Sequence, residues 1–158
     1  MEQGYLAVIE QSVKSVLGAM AGLELTFDQF QLKQHDEVIE GDSISSVISL
    51  NGADEHLSLA LTFPKKVILA IAQKMLPGIE VDSGHPMVVD LAGEMANMVL
   101  GGTKNSLDQE GDRLSLSLPV MVTGKDCRVE HKTNSPVWMA RIVSELGMIF
   151  VEVSHCKE

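Results

Sequence analysis

Asp90, Glu94, Asn97 and Gly101 follow one another at spacings of four, three and four. At 3.6 residues per turn those spacings place all four on one stripe of an α-helix. The stripe lies opposite Val88, Ala92, Met95 and Val99, so it faces away from the apolar side and is open to solvent or to a partner. Its chemistry is that of two acids and an amide meeting water or a basic group. The helix carries costs at these positions. Asn is disfavoured in a helix interior by up to about 0.7 kcal/mol relative to Ala, and Gly101 and Gly102 by about 1 kcal/mol each. Local inconsistency of this kind often marks a functional site. The alternative is an ordinary solvated helix face, with the glycines allowing close packing on a sheet.

Other chemistries lack their signatures. Gly101-Gly102-Thr103-Lys104 has a glycine pair and a lysine, but not the spacing of a phosphate-binding loop, and it lies within or at the end of a helix. A GxSxG nucleophile turn is absent. His35, His56, His85, His131 and His155 are dispersed, with neither HxH nor HExxH, which reads as surface or loop histidines and no metal centre. Asp36-Glu37 beside His35 reads as a solvated acidic patch. Cys127 and Cys156 show no CxxC spacing and are expected as reduced thiols.

The stripe needs a scaffold, and hydrophobic periodicity outlines one. Leu6, Ile9, Val13, Val16, Leu17 and Met20 recur at helical spacing over residues 4–21, and Gly22 stops that helix. Leu23–Leu32 reads as a strand and Lys33–Asp42 as a loop. Ser45–Leu50 and Leu57–Phe63 flank Asn51-Gly52-Ala53-Asp54-Glu55, a hairpin in which both Asn and Gly tolerate positive φ. Pro64 suits the first turn of a second helix through Val67, Ile68, Ile71, Ala72 and Met75, closed by Pro77-Gly78. The third helix opens near Asp82-Ser83 and fades near Ser106–Gln109. Its apolar face runs through Val88, Leu91, Ala92, Met95, Met98, Val99 and Gly102. Arg113–Thr123 alternates as a strand, Asp126–Ser135 is a polar loop, and Val137–Val143 with Gly147–Val153 makes a second hairpin. The order is a helix plus three strands, a helix, then again a helix plus three strands. It predicts an α+β two-layer sandwich, helices packed on an antiparallel-rich sheet, with a coarse internal repeat.

The 158 residues make one domain, 1–158. With 45% apolar and 22% charged residues the chain has globular proportions. A net charge of −10 argues against nucleic acid, which needs a basic face, and against adhesion to an anionic membrane. Met1-Glu2-Gln3-Gly4-Tyr5 has an acid at position 2 and no basic n-region, so no secretory signal is expected. Apolar runs fall well short of the roughly 20 residues of a membrane span. A cytoplasmic protein is expected.

Asp90-Leu91-Ala92-Gly93-Glu94-Met95-Ala96-Asn97-Met98-Val99, continuing to Lys104-Asn105-Ser106-Leu107, resembles the signature helix of the CheX/CheC/FliY phosphatases of bacterial chemotaxis. That pattern is an Asp or Ser, three residues, Glu, two residues, Asn, and a Pro some twenty residues later. Pro119 stands there, in Ser117-Leu118-Pro119-Val120-Met121-Val122-Thr123-Gly124, with a gap about one residue shorter than usual. The element order, Val16-Leu17-Gly18-Ala19-Met20 and the Leu59–Phe63-Pro64 step agree with it, so the resemblance spans nearly the whole chain and is strongest over residues 87–124. CheC-type members have a Glu-x-x-Asn pair on each of two equivalent helices. Here the first helix offers Glu10, but Val13 stands where Asn is needed. One pair in a compact chain is similar to CheX, whose members are homodimers, and the chain is too short to add a FliY-type switch domain.

The resemblance implies a phosphatase for the aspartyl phosphate of a CheY-like receiver domain. The alternative in the same fold is a non-catalytic adaptor binding a signalling protein, and the intact Glu94/Asn97 pair favours the enzyme. By the same resemblance Asn97 orients the attacking water and Glu94 pairs with a receiver lysine. Mg²⁺ belongs to the receiver, so the chain needs no cofactor of its own. Asp90 is expected to be structural or to take part in docking.

Overall fold

A computed structural model of the chain describes residues 3–34, 37–78, 80–82, 85–108, 114–131 and 133–157. His35, Asp36, Ser83, Gln109 and Arg113, each part of an expectation above, lie outside them. The first helical pattern forms α1, Gln3–Ala21. Gly22 ends it with φ 62° and donates its N–H to the Gly18 carbonyl at 3.0 Å, the left-handed cap that glycine adopts most cheaply. The segment expected as one strand over Leu23–Leu32 is broken into β1, Leu25–Phe27, and β2, Gln31–Leu32.

The first hairpin is β3, Asp42–Asn51, and β4, Glu55–Pro64. It closes with the Gly52 N–H on the Glu55 carbonyl at 2.7 Å. Neither Asn51 nor Gly52 has a positive φ. The loop is long enough to turn without the left-handed conformation that a two-residue Asn-Gly turn requires. Pro64 sits at the N-cap of α2, Lys65–Met75, rather than inside its first turn. α3 spans Pro86–Asp108 with Pro86 as its first residue.

The alternating run after α3 is likewise two strands, β5, Ser115–Leu116, and β6, Val120–Lys125. Both pair with β3. Leu116 faces Leu50 and Val120 faces Val47, so Ile48 and Ser49 lie opposite Ser117, Leu118 and Pro119. That extra residue is a bulge, placed where Pro119 has no N–H for a ladder. β7, Val137–Ser144, and β8, Gly147–Lys157, form the second hairpin around Glu145-Leu146, with Gly147 at φ 132°.

Among the described residues each half therefore holds a helix and four strands where the sequence pattern predicts three. The sheet runs β1-β7-β8-β4-β3-β5, with β2 also on β7 and β6 also on β3. Exchanging β1/β2 with β5/β6, β3 with β7 and β4 with β8 reverses that order and leaves it unchanged. The repeat is thus a two-fold arrangement in which the split strands of each half pair with the hairpin of the other.

Ile44, Ile48, Leu50, Leu57, Leu59, Leu61, Phe63, Ile149, Val151 and Val153 point to the helices and form the core with Ile9, Val13, Leu17, Ile68 and Ile71. Each such buried side chain contributes roughly 1.5–3 kcal/mol. The alternate residues line the other face of the sheet. Here Ser45 and Thr62 share a hydrogen bond of 2.7 Å, and Lys33 meets Glu152 at 2.8 Å with both side chains almost wholly buried. His131 reaches Glu152 through Nε2 at 3.4 Å and Ser58 through Nδ1 at 2.7 Å.

The His155 side chain is also largely buried, bonded through Nε2 to Glu55 at 2.8 Å, with its ring tilted 4.2 Å from that of Tyr5, whose hydroxyl donates to Glu55. His155 is thus an interior group on β8, contrary to the expectation of a surface or loop position, whereas His131 stands in the expected loop, between β6 and β7, with its side chain buried. Their carboxylate partners come from strands distant in sequence. Burial pushes the Glu55 and Glu152 carboxyls up. The hydrogen bonds and charges of Tyr5 and His155 on one, and of His131 and Lys33 on the other, outweigh it and hold both below the usual carboxylate value.

β7 and β8 lie inside the sheet. Val137–Val143 and Gly147–Val153, apolar strands that would leave an edge exposed unless paired, are both paired: β1 and β2 cover β7 and β4 covers β8. Among the described residues no helix is long and apolar enough to cross a membrane.

Candidate functional site

α3 lies against the sheet with α1 and α2 beside it, and that enclosure buries a broad arc of its surface. Val88, Ala92, Met95, Ala96, Val99 and Leu100 are all fully buried. The opposite stripe is the one read from spacing: Asp90 and Glu94 are exposed, and Asn97 and Gly101 half-exposed. Met98 departs from expectation, being 40% exposed beside the stripe rather than in the core. It is four residues from Glu94, which puts both on adjoining turns of one face.

Glu94 and Asn97, at i and i+3, have Cβ atoms about 5–6 Å apart in any regular helix. Among the described residues neither side chain makes a hydrogen bond or ion pair. Both groups are therefore available to a partner from outside without first being released from a contact in this chain.

The bulge supplies one wall of the site. A Cβ built on Gly93, the residue before Glu94, would lie 3.6 Å from Pro119 Cγ and 3.4 Å from Met121 Sδ. Pro119, far along the chain, thus abuts α3 at the turn that presents Glu94. Sequence spacing marks the proline, but its contact with the helix is a feature of the tertiary structure.

The first helix offers no second pair. Val13 is fully buried against the core and Glu10 is tied to Lys14 at 3.7 Å. Among the described residues there is no group of three or more His, Cys, Asp or Glu side chains that could hold a metal ion. Cys127 and Cys156 are free and half-buried. Such a stripe can bind a cation and orient a small polar molecule.

The sequence model of the family described as "Chemotaxis phosphatase CheX" matches residues 44–142, a span that includes most of β3 and all of β4 and α3. The chain is 24% identical over 119 residues to the CheY-P phosphatase CheX of Thermotoga maritima, covering 75% of each chain. It is similar to the crystal structure of chemotaxis protein CheX from Vibrio vulnificus, with TM-score 0.85, 32% identity, and 96% of this chain and 99% of that one covered. A CheX-CheY-BeF3-Mg²⁺ complex from Borrelia burgdorferi shares the fold, with TM-score 0.78 at 18% identity over 97% of this chain and 98% of that one. With the match spanning well over half its length and the fold agreeing from end to end, this chain belongs to the CheX family of chemotaxis phosphatases.

Proposed function

We propose that this protein hydrolyses the aspartyl phosphate of a CheY-like receiver domain, with Glu94 and Asn97 as the residues that act on it. The observation that carries the reading is the pair itself: a carboxylate and an amide, unpartnered and outward-facing, on the signature helix of a phosphatase family. An acyl phosphate already has a good leaving group. What the enzyme adds is a water held in line with phosphorus. The Asn97 amide both donates and accepts, so it can orient that water without changing protonation. Water oxygen bonds to phosphorus as the bond to the aspartyl oxygen breaks. Inorganic phosphate and the free carboxylate leave, and the water's proton departs with phosphate or to solvent. Mg²⁺ is carried by the receiver as part of the substrate.

Glu94 pairs with a lysine of the receiver and sets the docking register. Glu94→Gln keeps shape and helix propensity but removes the charge. An ion pair desolvated on docking is worth roughly 2 kcal/mol or more, about thirtyfold in kcat/KM. The wild-type kcat/KM then falls with rising salt. Combined with loss of the receiver lysine, the Glu94 change becomes nearly silent in a double-mutant cycle. Simple additivity would show that Glu94 has a different partner.

The decisive assay is phosphate release from a purified phosphorylated CheY-like receiver, with and without this protein. Acceleration supports the enzyme. Binding without acceleration would instead identify an adaptor of the same fold.

The same reading places one domain, 1–158, in the cytoplasm as a homodimer. Strands β5 and β6 pair with β3 alone among the described residues, and nearby Leu118 and Val120 are 87% and 60% exposed. An open edge of that kind is a template for a second chain. Sedimentation is expected to give about twice the 17.1 kDa chain mass at micromolar concentration; a monomer alone would refute the dimer.

A further inference from the structure

Gly101 and Gly102 of α3 each cost helix stability, but their surroundings differ. A Cβ on Gly101 would meet nothing within 4 Å, whereas one on Gly102 would lie 2.8 Å from Ser12 Oγ on α1. That Ser12 hydroxyl donates to the Val99 carbonyl of α3 at 2.6 Å, and the Thr103 hydroxyl donates to the same carbonyl at 3.0 Å. The missing side chain at position 102 is what lets α1 come close enough for its serine to reach the backbone of α3.

We infer that Ser12 and Gly102 are positioning residues: together they set the height and rotation of α3 against α1, and so the place of Asn97 and Glu94 against a docked phosphoryl group. The inference rests on the proposed phosphatase reading. Gly102 is five residues beyond Asn97, about 7.5 Å along the helix axis. Ala96, Val99, Leu100 and Thr103 are fully buried, and a close-packed helix passes a displacement along its length rather than absorbing it. A methyl group at 102 has to clear 2.8 Å. The helices then separate by several tenths of an ångström, or the serine hydroxyl swings off the Val99 carbonyl. Separation matters for catalysis, because water in line with phosphorus tolerates little error; misplacement by about 1 Å costs on the order of a hundredfold.

The distances also predict a suppressor. Ser12 Cβ lies 3.9 Å from the Cβ that alanine would add at 102, an ordinary contact. Removing the hydroxyl therefore makes room for the methyl. The test measures kcat and KM on a phosphorylated CheY-like receiver for wild type, Ser12→Ala, Gly102→Ala and the double variant. Ser12→Ala is expected to lower kcat about twofold, as one hydrogen bond among several is lost. Gly102→Ala is expected to lower it about tenfold with KM little changed. The double variant returns to the Ser12→Ala rate. A Gly102→Ala variant equal to Ser12→Ala, a loss confined to KM, or a double variant as slow as Gly102→Ala overturns the inference. Should Gly102→Ala not fold, the double variant decides alone: it must fold and work at the Ser12→Ala rate. A wild type without turnover overturns the phosphatase reading; a working wild type with a flat series overturns only the positioning role.

Discussion

Asn97→Ala is expected to leave the fold intact and to lower kcat for phospho-receiver hydrolysis on the order of a hundredfold, the scale at which positioning groups act. That corresponds to about 2.7 kcal/mol of transition-state stabilisation. Stability is expected to hold or rise slightly, since Ala exceeds Asn in helix propensity by up to about 0.7 kcal/mol. The Asn97 side chain also has no bond among the described residues to lose. Asp90 and Glu94 share the stripe, but carboxylates cannot donate a hydrogen bond while ionised, so neither substitutes for the amide. Single-turnover decay of the phosphorylated receiver, alongside thermal unfolding of the variant, separates chemistry from folding. Equal decay with both proteins would place the water-orienting group elsewhere.

The second large effect concerns stability. Lys33→Met keeps the aliphatic stem and removes the charge facing Glu152 at 2.8 Å, where both side chains are almost wholly buried. Breaking a buried pair strands the remaining charge and costs about 3–5 kcal/mol, a large share of the roughly 5–15 kcal/mol of a typical domain. One Glu152 oxygen, Oε2, already lacks a partner among the described residues, so the carboxylate depends on the contacts of Oε1 with Lys33 and His131. The double variant Lys33→Met/Glu152→Gln removes the stranded charge and is expected to regain most of the loss. Urea denaturation at neutral pH reads both. A Lys33→Met loss under about 1 kcal/mol would mean that the pair is effectively solvated.

The pH dependence follows from the same network. The folded carboxyls of Glu152 and Glu55 are held below their ordinary value of 4.5. Their contribution is fully present above the unfolded value and is lost as pH falls through the folded values. Wild-type stability is therefore expected to drop below about pH 4.5, and Glu152→Gln to remove its part of that drop.

Whatever depends on near neighbours in the chain could be read from the sequence. Periodicity located α1, α2 and α3 because a buried stripe must recur every three or four residues, and Gly22 and Pro77-Gly78 marked ends through their own backbone limits, while the start of α3, read near Asp82-Ser83, falls at Pro86. The outward stripe of Asp90, Glu94 and Asn97 was legible for the same reason: spacing alone orients side chains on a helix. The family resemblance then connected that stripe to a chemistry. What escaped is non-local. Leu23–Leu32 and Arg113–Thr123 read as single strands, since alternation does not reveal where a partner strand shifts register. Met98 reads as core and Ala96 and Thr103 do not, since the width of the buried arc depends on how many elements enclose α3. His155 reads as a surface or loop group because Glu55 reaches it only through the pairing of β4 with β8. Gly102 is costly in isolation and explicable only once Ser12 of α1 lies against it. Tertiary structure decided these points because each is a distance between residues far apart in sequence, set by which strand or helix lies beside which.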